Sequence, residues 1–378
     1  MKILQLTRDY PPAIKGGIST AVEAMVRGLH RQGARCAVVS FDGYRPRGGG
    51  AAPAPALERR DVAPVLRVSS PAHLDAARAL ARELRPDVIH VHHGMLWELA
   101  AELRDAQGCA AVKSVHVLQR EQNRLRAVQQ PTASQRGQQR ALREADRVLV
   151  PTRAAAQALL ADDAALAPRL HVVPPAVTVS LPRPRPRASD GPPRLLWVGR
   201  FAELKGAAEL CEILPAVAER SAAARFEVVG GVPDNRKAER RWRARLQQAM
   251  EAHPGRMTLH GWLPPSQVRA ELARARLLLS TSWTETFGLS VAEAMACGTA
   301  VVATQVGGVA ELLEQGACGE LRPRGDCAGL TRASVQLLED PERAFRLGAA
   351  GQARIAARHD PERCARALIS ALDCRPAA

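Results

Sequence analysis

The sequence predicts two α/β domains built on mainly parallel sheets, and three observations carry that prediction. At 378 residues the chain exceeds the roughly 250–300 at which a single hydrophobic core stops growing. Short β-branched runs alternate with amphipathic stretches along its length, the pattern of repeated strand–helix–strand units. The alternation is broken by a Pro- and Arg-rich stretch over 181–193, which can neither donate to a sheet ladder nor bury a core and so acts as a semi-rigid linker.

In the first half the strand-like runs are Ile3 to Leu6, Cys36 to Val39, Val88 to Val91, Ala111 to Val117 and Val148 to Val150. Amphipathic stretches such as Ile18 to Arg31 and Ala72 to Leu84 lie between them. The second half repeats the scheme with Leu195 to Val198, Phe226 to Val229, Met257 to Leu259, Leu277 to Leu279 and Val301 to Ala303. The expected organisation is a domain over 1–180, the linker 181–193, a second domain over 194–357, and a C-terminal helix over 358–378 packing back on the first domain. A Gly/Pro/Ala stretch near 43–57 is expected to be a surface loop. Two such units leave a cleft beside the carboxyl ends of their strands, where ligands of open α/β sheets bind.

Composition narrows the function classes. No apolar run reaches the ~18–20 residues needed to span a bilayer, and the N-terminus turns polar after six residues, unlike a signal peptide. A cytoplasmic protein is expected, with peripheral contact at the inner membrane face left open. The eight cysteines include no C-x-x-C pair and are expected to be reduced, mostly buried thiols. The net charge is +15, yet only five of the 53 basic residues are Lys. Together with abundant Ala and Pro this skew points to genome composition rather than selection for a polyanion, so nucleic acid is not expected as a partner. The positive field still favours anionic ligands.

Two segments carry chemistry. The first runs from Ser282 through Glu285, Phe287, Gly288, Leu289, Ser290 and Glu293 to Gly298. It leaves a strand and enters a helix, so Gly288 allows close backbone approach and the first helical amides can face a phosphate. Ser290-x-x-Glu293 also fits a capping box in the helix's first turn, which accounts for Glu293 but not for Glu285, Phe287 and Gly288. In the second segment, Val198-Gly199-Arg200 to Lys205-Gly206, a glycine turn ends a strand and two cations follow before a helix. Such a pair can hold a diphosphate and neutralise its charge on departure; the bland alternative is two solvated surface cations.

Together the segments resemble the retaining GT-B glycosyltransferases of family 4 (glycosyltransferase group 1). The similarity extends through Gly230-Gly231, His260-Gly261-Trp262-Leu263 and Gly307-Gly308 to Glu311, and on the N-terminal side through Tyr10-Pro11-Pro12, Gly16-Gly17, Asp87 to His92 and Ser114 to His116. The resemblance implies a GT-B fold, two Rossmann-like α/β/α domains with an interdomain cleft. It implies a donor nucleotide-diphosphate sugar, UDP-linked by family default, and a hydroxyl acceptor that is a small molecule, an oligosaccharide or a lipid head group. By the resemblance, Arg200 and Lys205 bind the diphosphate, Glu285 the sugar hydroxyls and Glu293 the ribose. The amides of Phe287, Gly288 and Leu289 touch the donor, Trp262-Leu263 lies beside the base, and Gly16-Gly17 forms a loop near the phosphates or acceptor. It also implies front-face attack with retention, the leaving phosphate taking the acceptor proton. The chain departs from the family where Thr281 and Ala300 replace a frequent proline, and where Pro175-Ala176 replaces asparagine-glycine.

His116 lies near a strand end, where similar enzymes bring a histidine to the donor sugar; a satisfied buried histidine is the alternative. Alternation places His90 and His92 on one face, but no carboxylate follows at ligand spacing, so neither metal nor cofactor is expected. The D-x-D of metal-dependent glycosyltransferases is absent from the sequence, which leaves Arg200 and Lys205 to supply the electrostatics. The basic run at 236–245 is a solvated face by default, with a membrane or polyanion surface as minority alternative. Residues 119–147 mix seven Arg with many Gln, and the resemblance places them toward the acceptor, where such donors suit a hydroxyl-rich or phosphorylated one. Two rivals stay open: a GT-B nucleotide-sugar epimerase, and a degenerate nucleotide-sugar-binding scaffold.

Overall fold

The computed structural model describes residues 1–14, 16–42, 54–127, 130–179, 191–231 and 237–374, with backbone alone for 71 and 237–239. Most of the expected linker, the loop over 43–53 and the start of the basic run at 236–245 lie outside the described residues or side chains. The chain divides into two compact units, Met1–Ala176 with Pro361–Ala378, and Val177–Asp360.

In chain order the first unit contains β1 (Lys2–Thr7), α1 (Gly17–Arg31), β2 (Arg35–Ser40), β3 (Ala56–Glu58), β4 (Val65–Arg67), α2 (Leu74–Leu84), β5 (Val88–Val91), α3 (Trp97–Gln107), β6 (Ala110–Ser114), α4 (Gln119–Arg126), α5 (Ala133–Glu144), β7 (Arg147–Val150), α6 (Arg153–Asp162) and β8 (Leu170–Val172). Its sheet has the order β3-β4-β2-β1-β5-β6-β7-β8, parallel apart from the β3–β4 pair. β1, β2 and β5 are buried along nearly their whole length, as expected for strands covered on both faces by helices. The helix caps follow from the sequence: Thr132 and Gln135 close a capping box on α5, and Thr152 accepts from the Ala155 amide to start α6.

The second unit contains β9 (Arg194–Val198), α7 (Ala207–Arg220), β10 (Arg225–Val229), α8 (Lys237–Ala249), β11 (Met257–Gly261), α9 (Pro265–Arg274), β12 (Leu277–Ser280), α10 (Leu289–Ala296), β13 (Ala300–Thr304), α11 (Gly307–Leu312), β14 (Glu320–Arg322), α12 (Cys327–Glu339) and α13 (Pro341–Arg358). Its six strands are all parallel, in the order β11-β10-β9-β12-β13-β14. The last helix, α14 (Pro361–Leu372), belongs to the first unit. There Ala365 packs on Gly28 of α1, close enough that a Cβ on Gly28 would lie 3.0 Å from the Ala365 Cβ, and α14 buries Cys364, Leu368 and Leu372.

In both sheets the strand order reverses at one place, between β1 and β5 in the first and between β9 and β12 in the second. Helices leave on opposite faces there and open a crevice at the carboxyl ends, the usual ligand position of such sheets. Two local expectations need correcting. β6 stops at Ser114, three residues short of the apolar run, because the chain leaves the ladder once Val115 has donated to Leu149 O; His116 therefore sits in the loop beyond. α10 is capped by Gly288 at φ 93° with no side-chain cap bond. The capping box is thus not formed, and Glu293 falls in the second turn rather than the first.

Candidate functional site

The second unit's crevice is built by two loops, 199–206 after β9 and 281–288 after β12, whose parent strands are hydrogen-bonded neighbours. Glycine decides how closely the loops meet. Gly206 has φ +69°, and a Cβ there would land on the Thr281 carbonyl oxygen, well inside van der Waals contact. Thr281 then ties the loops together: its hydroxyl bonds the carbonyls of Lys205 and Gly206, each at 3.0 Å, and accepts from Trp197 Nε1 at 3.1 Å. The Trp283 amide donates to Leu204 O at 3.0 Å. A proline at 281 would lack that hydroxyl, so the departure from the family pattern has a structural role here.

The result is a defined charge arrangement. Lys205 Nζ lies 2.5 Å from Glu285 Oε1, and Ser282 Oγ donates to the same oxygen at 2.8 Å. The Lys205 side chain is 29% exposed and that of Glu285 14%, so the pair can be reached by a ligand. From the other side Gly307, at φ +40°, closes on the Glu285 carbonyl with no room for a Cβ, and the Gly308 amide donates to that carbonyl at 3.0 Å. The backbone of Glu285 is thereby held from two directions.

Arg200 is exposed at the start of the same loop as Lys205. Phe287 and Gly288 are buried at the start of α10, and Leu289 is its first residue. Phe287 packs against the His359 ring, centroids 5.3 Å apart. Burial pushes the Glu293 carboxyl up to about 7, against a smaller opposing effect from Arg269. A carboxyl raised in the fold favours its protonated form, so its contribution to stability is full below the ordinary carboxylate range and lost as pH rises through about 7. Glu293→Gln is therefore expected to raise stability at pH 8 by on the order of 1–3 kcal/mol and to leave it nearly unchanged at pH 4.5. Thermal melts at the two pH values check this, and an equal effect at both would remove the burial argument.

Trp262, 41% exposed, and Leu263 follow β11 at the sheet edge, two strands from β9. Sequence reasoning gave Ser282 no role and treated Thr281 only as a departure; the signal for both was their place directly after a buried strand. Glu209, also missed, accepts from Trp283 Nε1 at 2.7 Å and lines a recess of about 430 Å³ with Cys211, Glu212, Arg245 and Cys327. Glu227, His260 and Glu271 place one ligand atom each within 4.8 Å of one another. Arg194 already supplies a cation there, 3.2 Å from Glu227 and 4.0 Å from Glu271, so we assign no metal to the group.

Gly16, Gly17 and His116 belong to the first unit. Gly16 is the exposed N-cap of α1, whose first turn carries no acidic residue. His116 is half-buried beyond β6, its Nε2 3.0 Å from His92 Nδ1. His90 and His92 share a face with ring centroids 4.3 Å apart.

Two Rossmann-like α/β/α units, each with a carboxyl-end crevice and one carrying a lysine–glutamate pair, define the GT-B class of glycosyltransferases. The structure matches sucrose-phosphate synthase from Thermosynechococcus elongatus at TM-score 0.81 and 21% identity, covering 98% of each chain. It matches Anabaena HepE in complex with UDP and glucose at TM-score 0.76 and 19% identity, over 99% of this chain and 100% of that one. The family described as Glycosyl transferases group 1 matches residues 192–340, and the glycosyl transferase 4-like domain matches 16–176. A 2-deoxystreptamine N-acetyl-D-glucosaminyltransferase from Streptomyces fradiae is 32% identical over 329 residues, 78% of this chain and 73% of the relative. The chain belongs to the group 1 glycosyltransferases, family 4, and is an enzyme that transfers sugar from a nucleotide-sugar donor.

Proposed function

We propose that the enzyme moves a hexose-type sugar from UDP to a hydroxyl of a small polyol or aminocyclitol, with retention and without a metal. The observation that carries this is the Lys205–Glu285–Ser282 cluster at the switch point of the second unit. In this proposal Arg200 and Lys205 hold the diphosphate, and Glu285 turns from Lys205 to the sugar hydroxyls. Glu293 takes the ribose, the amides of Phe287, Gly288 and Leu289 lie along the donor, and Trp262-Leu263 flanks the base. Gly16 and Gly17 give backbone access near the phosphates, and His116 meets the sugar. UDP is favoured because HepE, with the same fold, is known in complex with UDP and glucose. A cyclitol acceptor is favoured by the name of the Streptomyces fradiae relative.

The chemistry follows from the charges. The acceptor oxygen attacks the anomeric carbon as its bond to the diphosphate breaks, and the proton passes to the leaving phosphate oxygen. Arg200 and Lys205 stabilise the charge that develops there, while the bound geometry lowers the entropic cost. The test incubates the full chain with UDP-glucose or UDP-N-acetylglucosamine and a cyclitol panel in EDTA. The expected result is UDP release that requires acceptor, with NMR of the product showing the donor's anomeric configuration. A melting-temperature rise with UDP is expected as well, since a ligand at 100 times its Kd adds about 2.7 kcal/mol. Epimerised donor formed without acceptor, or UDP-induced stabilisation with no turnover on any acceptor, would replace this function by one of its rivals.

A further inference from the structure

The carboxyl ends of β1, β5 and β6 enclose a basic cluster of which the proposed transfer uses only His116. Lys113 lies within β6, is 2% exposed, and points its amine at three carbonyls. Its Nζ donates to Val91 O at 3.3 Å, to His92 O at 2.9 Å and to Ser114 O. Three acceptors match the three protons of an ammonium. Around it stand His90 and His92 from β5 and its end, His93 in the loop beyond, and His116 after β6. Arg8, after β1, donates its amide to His93 Nδ1 at 3.2 Å.

Two further contacts make a chain of this cluster. His92 Nε2 lies 2.8 Å from Gln5 Oε1, and His92 Nδ1 lies 3.0 Å from His116 Nε2. Gln5 is fully buried in the middle of β1; its Oε1 faces His92, and its Nε2 has no hydrogen-bond partner among the described residues. An amide oxygen only accepts. His92 Nε2 must then carry a proton and donate it, which leaves His92 Nδ1 as a lone pair. That lone pair in turn requires a proton on His116 Nε2, and His116 Nδ1 is left unprotonated. The Lys113 charge, which acts on all four imidazoles, favours the oxygen rather than the NH₂ end of Gln5 facing the rings. It also opposes any second proton on them.

We propose that His92, anchored by Gln5, is a positioning residue that fixes the tautomer of His116, so that His116 offers Nδ1 as a hydrogen-bond acceptor to a hydroxyl of the bound sugar. The proposal rests on the transfer reaction above and adds the direction of the bond: the sugar hydroxyl donates and the ring accepts. An acceptor of this kind selects for a sugar whose hydroxyl at that position has a free proton, and against one methylated or deoxygenated there.

The electrostatics fit a neutral relay. Burial, then Lys113, His93 and His90, hold His116 well below the ordinary imidazole range. His92 is lowered likewise by burial, then by His90, His116, Lys113 and His93. Burial lowers Lys113 itself to about 7. Burial and Lys113 hold His90 near 3, and burial, Lys113 and Arg8 do the same for His93.

The experiment has two arms, both on the full chain. In the first, the ten histidines are labelled with ¹⁵N, and His92→Asn and His116→Gln assign the two rings in long-range ¹H–¹⁵N spectra at pH 6.5, where Lys113 is charged and both rings are neutral. The expected result is a proton on Nε2 of both rings. A proton on His116 Nδ1 overturns the proposal, because the relay would then run in the opposite direction. In the second arm, turnover is compared in Gln5→Met, which removes the acceptor at similar volume, and Gln5→Glu, which keeps one. Gln5→Met is expected to lower kcat roughly 10- to 100-fold, as when a metal-ligating histidine loses the partner orienting it, with a smaller change in the donor KM. Gln5→Glu is expected to retain turnover and to move the acid limb of the pH profile to higher pH, since a carboxylate raises the proton affinity of the rings it faces. A merely structural Gln5 would not move that limb; an unmoved limb in Gln5→Glu, or wild-type kcat in Gln5→Met, overturns the proposal. The spectra do not depend on turnover. Absence of transfer by the wild-type chain with the expected tautomers in place would thus count against the proposed function and not against the relay.

Discussion

Lys205→Ala is expected to lower kcat by about 10²–10³-fold, the cost of removing one group that stabilises charge developing in a transition state. In the proposed reaction Lys205 neutralises the departing diphosphate, so the loss falls on kcat more than on the donor KM. Glu285→Ala is expected to fall in the same direction by removing the carboxylate that orients the sugar. Lys205→Ala also leaves Glu285, 14% exposed, with Ser282 as its remaining bonded partner of the cluster. A modest drop in melting temperature should follow, and Glu285→Gln in the Lys205→Ala background should recover stability without recovering turnover. That split between stability and rate separates a catalytic lysine from one that merely pairs a buried charge. Wild-type turnover in Lys205→Ala would remove its assigned role.

Gly206→Ala should cause the largest loss of stability, about 3 kcal/mol or more. Two costs combine at this position. A side chain at φ +69° is strained by itself, and the new Cβ would overlap the Thr281 carbonyl. The second cost is the larger one, because relieving it means parting the two loops and losing the Thr281 bonds to Lys205 and Gly206 and the Trp283–Leu204 bond. Gly255→Ala is the control. It has φ +70° but nothing within 4 Å of a new Cβ, so it should lose only the ~1–2 kcal/mol of a left-handed residue. Urea melts of the two variants measure the difference, and equal losses would show that the loop contact carries no weight.

The long central elements were legible because their periodicity follows directly from burial. Ile3 to Leu6, Val88 to Val91 and Leu277 to Leu279 are buried throughout, and apolar but for Gln5 and His90, because helices cover both sheet faces. β3, β4, β8 and β14 escaped the sequence because each has only three residues at or near a sheet edge, too few for a period to register. The glutamates and cations of the candidate site were legible as residue types at a spacing. Their direct pairing was not, since Lys205 and Glu285 are eighty positions apart and no local rule links them. Lys113 carried a signal of its own, a cation in a strand run between the apolar Val112 and Val115.

By itself the sequence determined two α/β halves, the glycine turns and the order of charged residues, because these depend on local periodicity and on φ angles open mainly to glycine. Only the tertiary structure decided which groups touch. Thr281 became a staple rather than a missing proline, and Gln5 became the end of a relay through His92 to His116. The physical reason is that a hydrogen bond needs two atoms within about 3 Å, and strand order alone brings residues far apart in the chain to that distance.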